Sequence, residues 1–205
     1  GRQSAMLSGC PDQMPLRSRP FTALVPSTDD SQRVTRTATP ARGRVTVANQ
    51  LLRPGQTIES PETGFKYAVE RLLGEGGFGQ VYLARRLGRS RDVPEILCIK
   101  ISTRIDGWLR EAYFGQLLDE HPRAIRIFDT FPMLAEGRVR YCLALEYARF
   151  GDLSAYLRRH AGGWPEKTAR REIAGILDVL GKLHRGQLLH RDLTPLNVFV
   201  CDGRQ

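Results

Sequence analysis

Asp192 and Asn197 stand five residues apart in the run His190-Arg191-Asp192-Leu193-Thr194-Pro195-Leu196-Asn197, immediately before the apolar Val198-Phe199-Val200. On a loop, that pair suits one kind of chemistry. The carboxylate can accept the proton of a substrate hydroxyl, and the carboxamide oxygen can hold a metal ion beside it. The pair gains meaning only if the chain upstream supplies groups that bind an anion.

Gly74-Glu75-Gly76-Gly77-Phe78-Gly79-Gln80-Val81 is the first such part, a G-x-G-x-x-G pattern. Without a Cβ, glycines let backbone N–H groups come close to a phosphate. Dinucleotide-binding turns share the pattern but open a helix. Here Gln80-Val81-Tyr82-Leu83-Ala84-Arg85 continues as a strand, and a plain glycine hairpin reads equally well from these residues alone. The next part is Lys100, within the nearly apolar Glu95-Ile96-Leu97-Cys98-Ile99-Lys100-Ile101. A lysine there must snorkel, pair or bind an anion, so a solvent-facing edge lysine and a phosphate ligand are the alternatives. Glu111 is the candidate partner that would aim its ammonium, with Asp106 and Glu120 as rivals.

The elements that must position these groups follow from periodicity. Strands are expected over 67–73, 80–85, 95–101, 125–128 and 139–145, and a helix over 108–118 turning Trp108, Leu109, Ala112, Tyr113 and Leu117 to a core. Pro122 ends it. Beyond residue 147 the chain turns helical. Asp152 is a plausible N-cap for a helix with Leu153, Tyr156 and Leu157 on one face. Pro165 suits the first turn of a longer helix whose stripe of Ala169, Ile173, Ile176, Leu177, Leu180 and Leu183 reads as a core face. Residues 1–60 are rich in Ser, Thr, Pro, Arg and Gly and read as a disordered leader. Thr39-Pro40 suits a solvated linker or a phosphorylation site, and Val45-Thr46-Val47 a short strand.

Composition narrows the class. The chain has 205 residues, enough for one ordinary domain and a tail, and a formal net charge of +9. The basic residues are scattered with no run of five or six, so nucleic acid is not an expected partner. Cys10, Cys98, Cys142 and Cys201 form no C-x-x-C pair, which argues against a zinc or haem site and for reduced thiols. No secretory signal and no apolar run of membrane-spanning length is visible, so a cytoplasmic location is expected.

Four stretches in order now carry a resemblance: the glycine run with Val81; Cys98-Ile99-Lys100; Leu145-Glu146-Tyr147-Ala148-Arg149-Phe150-Gly151-Asp152-Leu153; and Leu183-His184 followed by residues 190–197. From about Phe65 onward the chain resembles a protein kinase of the serine/threonine type. The resemblance implies an α+β, two-lobed fold. Residues 61–146 would be the N-lobe, a five-stranded antiparallel sheet with one helix. Residues 147–205 would be the hinge and the first part of a helical C-lobe. ATP and Mg²⁺ are the implied cofactors, and a protein Ser/Thr hydroxyl the implied acceptor. Leu73, Gly74, Glu75, Gly76, Gly77, Phe78 and Gly79 would form a flap over the phosphates, and Lys100, paired with Glu111, would bind the α- and β-phosphates. Val81 and Cys98 would line the adenine slot from above and Phe199 from below, while the backbone of Glu146 and Ala148 would read the adenine edge. Asp192 would orient the hydroxyl and accept its proton, Asn197 would hold one Mg²⁺, and His190 and Arg191 would brace the loop.

The chain departs from the family pattern at four points. Thr194 stands where such kinases carry Lys, which also leaves the type of hydroxyl open. Cys98 replaces a small Ala, and only eleven positions separate Lys100 from Glu111. The chain stops at Gln205, ahead of the D-F-G segment. The expectation is therefore that these 205 residues alone do not phosphorylate, and that Ile173, Leu177 and Leu180 lack packing partners, exposing apolar surface that favours aggregation. A pseudokinase or nucleotide-binding scaffold is the second reading, and a small-molecule phosphotransferase of the same fold the third.

Overall fold

The computed structural model describes residues 21–24, 50–76, 79–160 and 162–201. In chain order the elements are β1 (Phe21–Leu24), β2 (Thr57–Glu59), β3 (Lys66–Gly76), β4 (Gly79–Leu87), β5 (Ile96–Ser102), α1 (Ile105–Leu118), β6 (Ile127–Ala135), β7 (Arg138–Glu146), α2 (Leu153–Arg159), α3 (Glu166–Arg185) and β8 (Val198–Cys201). An antiparallel sheet in the order β2-β3-β4-β5-β7-β6 forms the first half. The five expected strands are all in it. The sixth, β2, comes from the stretch read as leader.

Alternation decides which face each side chain takes. Tyr82 and Ala84 of β4, Leu97, Ile99 and Ile101 of β5, and Cys142 and Ala144 of β7 are buried on one face and form a common core. The sheet curls around that core until its far strands meet. Tyr67 of β3 donates its hydroxyl to Asp129 Oδ2 of β6 at 2.8 Å, and Thr63 Oγ1 donates to the same oxygen at 2.7 Å. The Tyr67 and Phe131 rings stack at 6.0 Å. The opposite face carries Val81, Leu83, Cys98, Lys100, Leu143 and Leu145, which stand in register across β4, β5 and β7.

Several expectations need correcting. Residues 50–60 are not a disordered leader: Leu52 and Ile58 are buried in the core, and the Leu52 N–H donates to the Tyr82 hydroxyl at 3.1 Å. Phe21–Leu24 pairs antiparallel with β8. The rest of the leader, with Thr39-Pro40, Val45-Thr46-Val47 and Cys10, lies outside the described residues. β6 runs further than expected, through Pro132, which it tolerates because it is the edge strand. On α1 the buried residues are Glu111, Gly115 and Leu118, while Leu109 and Tyr113 are exposed. The helix sits tight against β6, since a Cβ on Gly115 would fall 2.1 Å from Ile127 Cδ1. Small and paired residues therefore take the inside positions. On α3 the buried residues are Glu172, Val179 and Leu183, whereas Ile173 and Leu177 of the expected stripe are exposed. Asp152 caps α2 as expected, accepting from the Ala155 N–H at 2.7 Å. Leu157, expected on the buried face of that helix, is exposed.

Cys98, Cys142 and Cys201 are free and buried. Burial pushes the Cys98 and Cys142 thiols up to about 12 from an ordinary 9.0. The Tyr67 phenol is also raised, by burial first and then by Asp129. The folded chain holds these protons where the unfolded chain releases them, so the associated stability is complete below about pH 9 and is lost as pH climbs toward 12. The urea midpoint is expected to fall steadily over that window, with no thiolate labelling of Cys98 or Cys142 at pH 8. A flat midpoint would count against it.

Candidate active site

Two parts of the chain build the site. The first is the sheet face opposite the core. Val81 of β4 lies opposite Lys100 of β5, and Cys98 lies between Leu83 and Leu145 in register. Lys100 Nζ reaches Glu111 Oε1 of α1 at 2.5 Å, with only 15% and 11% of the two side chains exposed. The short separation in sequence is met by a helix that starts at Ile105, directly after the strand.

The glycines of the β3–β4 hairpin divide into two kinds. Gly74 and Gly76 have nothing within 4 Å of where a Cβ would sit, which leaves room for a ligand. Gly79 has φ +119°, and its Cβ would fall 2.0 Å from the Ile101 carbonyl oxygen. That glycine is required by the fold itself, since it lets β4 approach β5. Gly79→Ala is expected to cost about 2 kcal/mol or more, whereas Gly74→Ala should cost under about 1 kcal/mol. Urea melts of the two variants check this, and equal costs would refute the distinction. Leu73 and Glu75 are exposed on this hairpin, and Gly77 and Phe78 lie outside the described residues.

The second part is the loop ahead of β8. His190 is buried, Arg191 takes a left-handed φ of 62°, and the Asp192 N–H donates to the His190 carbonyl at 2.8 Å. This sharp turn presents Asp192 beside Asn197. Asn197 Nδ2 donates to the Asp192 backbone carbonyl and to Asp192 Oδ2, each at 2.8 Å. With the amide nitrogen so engaged, its Oδ1 is the atom left to meet a cation. Ser154 N–H donates to the Pro195 carbonyl at 3.3 Å, tying the start of α2 to the loop.

The two parts meet through one apolar cluster. Leu145 and Ala148 pack with Ile125, Phe199 and Cys201, and the Phe150 N–H and Val200 carbonyl bond at 3.3 Å. Cys98, Ala148 and Phe199 are thus gathered around Leu145, which the sequence places at the end of a strand without giving it a role in the site. The alternation of Leu143 and Leu145 with Cys142 and Ala144 was the signal for it. Glu146 is held by Arg126, whose carbonyl accepts from its N–H at 2.9 Å and whose N–H donates to its Oε2 at 3.2 Å.

A little-exposed lysine fixed by a helix carboxylate lies between a glycine hairpin before it and an Asp–Asn loop after it, the order of groups that phosphoryl transfer uses. Residues 67–205 match the family described as "Protein kinase domain". The chain belongs to the protein kinase family. Mouse serine/threonine-protein kinase SBK1 is 29% identical over 207 residues, covering 96% of this chain and 44% of the mouse protein. Serine/threonine-protein kinase pkn3 of Myxococcus xanthus is 34% identical over 154 residues, covering 71% of this chain and 26% of that one. Human serine/threonine-protein kinase tousled-like 2 is 31% identical over 162 residues, covering 72% and 20%. The kinase chain thus spans less than half the length of these relatives. None of its described helices is long and apolar enough to cross a membrane.

Proposed function

We propose that this chain binds Mg²⁺-ATP between the glycine hairpin and the Asp192 loop, and that in the full-length protein the site phosphorylates a protein Ser/Thr hydroxyl. The Lys100–Glu111 pair carries the proposal. A lysine so little exposed is held with its ammonium on the face that also bears Val81 and Cys98. Gly74 and Gly76 leave open space for phosphate oxygens, and Asn197 Oδ1 offers an oxygen to a cation, so the residues fit the cofactors. Leu73 to Gly79 would cover the phosphates, Lys100 would neutralise them, and Val81, Cys98, Glu146, Ala148 and Phe199 would hold the adenine. Bound ATP supplies the phosphoryl group, and Mg²⁺ the charge that offsets it. Asp192 aligns the hydroxyl and takes its proton. Positioning and charge neutralisation account for most of what such a site must do. For residues 1–205 alone we expect nucleotide binding without transfer. Reduced, buried thiols fit a cytoplasmic setting.

Lys100→Met is expected to weaken Mg²⁺-ATP binding at least tenfold, since it removes a charge-assisted contact of about 1.5–3 kcal/mol. Calorimetric titration of the intact chain measures this, and unchanged affinity would overturn the site assignment. One observation favours a second reading, a nucleotide-binding scaffold. Thr194, in place of the family's lysine, has its Oγ1 buried with no hydrogen-bond partner among the described residues. Transfer to a generic Ser/Thr substrate by the full-length protein separates the two.

A further inference from the structure

The β4–β5 connection carries a charge cluster that the nucleotide site leaves unused. Arg85, Arg86, Arg89 and Arg91, with Asp92 and Glu95, line an open groove of about 1030 Å³. Arg85 is neutralised there by Glu95 at 2.5 Å and by Glu70 at 3.1 Å. Arg86 is not. It follows Tyr82 and Ala84 on the core side of β4, opposite Tyr67, and only 7% of it is exposed. Its Nε donates to the Val93 carbonyl at 3.0 Å and its Nη1 to the Gly88 carbonyl at 2.5 Å. Both acceptors are neutral, and no carboxylate pairs with it among the described residues. Asp129, beyond Tyr67, is already engaged by two hydroxyls. Carbonyl dipoles satisfy the donors of a buried guanidinium but leave its charge without a counter-ion, which is costly.

The loop arranges two more cations near it. Ser90 Oγ accepts from the Asp92 and Val93 N–H groups at 3.2 and 3.1 Å, a turn that sets Arg89 and Arg91 on either side of Ser90. Both arginines are exposed, and neither pairs with a carboxylate among the described residues. Four guanidinium groups against Asp92 and Glu95 leave the groove lining at +2. Guanidinium forks match phosphoryl oxygens in shape and charge. We propose that this groove binds a phosphomonoester dianion, with Arg86 as the buried anchor and Arg89 and Arg91 closing over the oxygens. The ligand is either a small phosphomonoester or a phosphorylated side chain of a peptide; both present the same group.

Titration of the intact chain tests this, with O-phosphoserine, a phosphoserine peptide and the unphosphorylated peptide as probes and arginine Nε–H resonances as the readout. Saturable binding by the phosphorylated probes alone is expected, falling at least tenfold in Arg89→Ala/Arg91→Ala, whose thermal midpoint reports that the fold is kept. Affinity should drop several-fold from pH 7.5 to pH 5, as the dianion takes up a proton with a pKa of about 6. Equal affinity for the two phosphorylated probes identifies a small phosphomonoester as the ligand, and tenfold tighter peptide binding identifies a phosphorylated segment. Absence of saturation, or binding unaltered in the double variant, overturns the proposal. Binding lost in Lys100→Met also overturns it, because the probe would then occupy the nucleotide site. The outcome is independent of whether the chain transfers phosphate.

Discussion

Asp192→Asn is expected to leave nucleotide affinity nearly unchanged while cutting phosphoryl transfer by the full-length protein about 10²- to 10⁴-fold, the usual contribution of a positioned proton acceptor. The structure explains why binding should survive. Asn197 Nδ2 donates both to the Asp192 backbone carbonyl and to its side-chain oxygen. The carboxamide of the variant keeps an oxygen in that place, so the loop retains its turn and Asn197 Oδ1 its direction. What is lost is the negative charge and the capacity to take a proton. Paired measurements of Mg²⁺-ATP affinity and of transfer rate decide the matter. Transfer within tenfold of the parent rate would mean that Asp192 is not the proton acceptor.

Glu172→Ala is expected to destabilise the fold by about 3–5 kcal/mol, the range for breaking a buried ion pair from one side. Glu172 is 1% exposed, yet it receives both Arg123 from the loop after α1 and Arg171 Nη2 at 2.7 Å. The Arg123 guanidinium approaches α3 where Gly175 has no side chain; a Cβ there would stand 2.8 Å from Arg123 Cζ. His121 adds a second attachment. Its Nδ1 accepts from the Arg123 N–H at 3.1 Å, and its Nε2 lies 3.1 Å from Asp178 Oδ2. Removing the carboxylate takes from Arg123 the fully buried counter-ion it has on α3. For a chain of this length the thermal midpoint should fall by on the order of 10 °C. Replacing Arg123 and Glu172 together by Met should recover much of the loss, because the charge then left over is that of Arg171, whose side chain is 46% exposed to solvent. A single-variant loss under about 1 kcal/mol would show that solvent replaces the pair.

The parts that were legible in the sequence were those with a local physical signature. Runs rich in apolar, β-branched and aromatic residues marked β3, β4, β5 and β7, and the cation inside an apolar strand demanded a partner that α1 supplies. Asp152 announced its helix by side-chain chemistry alone. The parts that stayed hidden depend on long-range packing. Counting large apolar residues put Leu109 and Tyr113 inside α1, but a tight approach to the sheet admits Gly115 there and the ion pair admits Glu111. Glu172 escaped notice for the same reason, since nothing nearby in the chain reveals that Arg123 will meet it 49 residues away. Pro132 concealed most of β6, because only the finished sheet shows that strand to be an edge. β1 and β2 lie in a segment too polar to stand out; β1 finds its partner in the distant β8, and β2 is only three residues long.

Leu52 and Ile58 are buried in the core of the sheet, yet they precede residues 67–205, the stretch that the kinase family model matches. The folding unit therefore begins before residue 67. A fragment trimmed to the alignment boundary would open a seam beside Tyr82, and its instability would say nothing about the catalytic machinery.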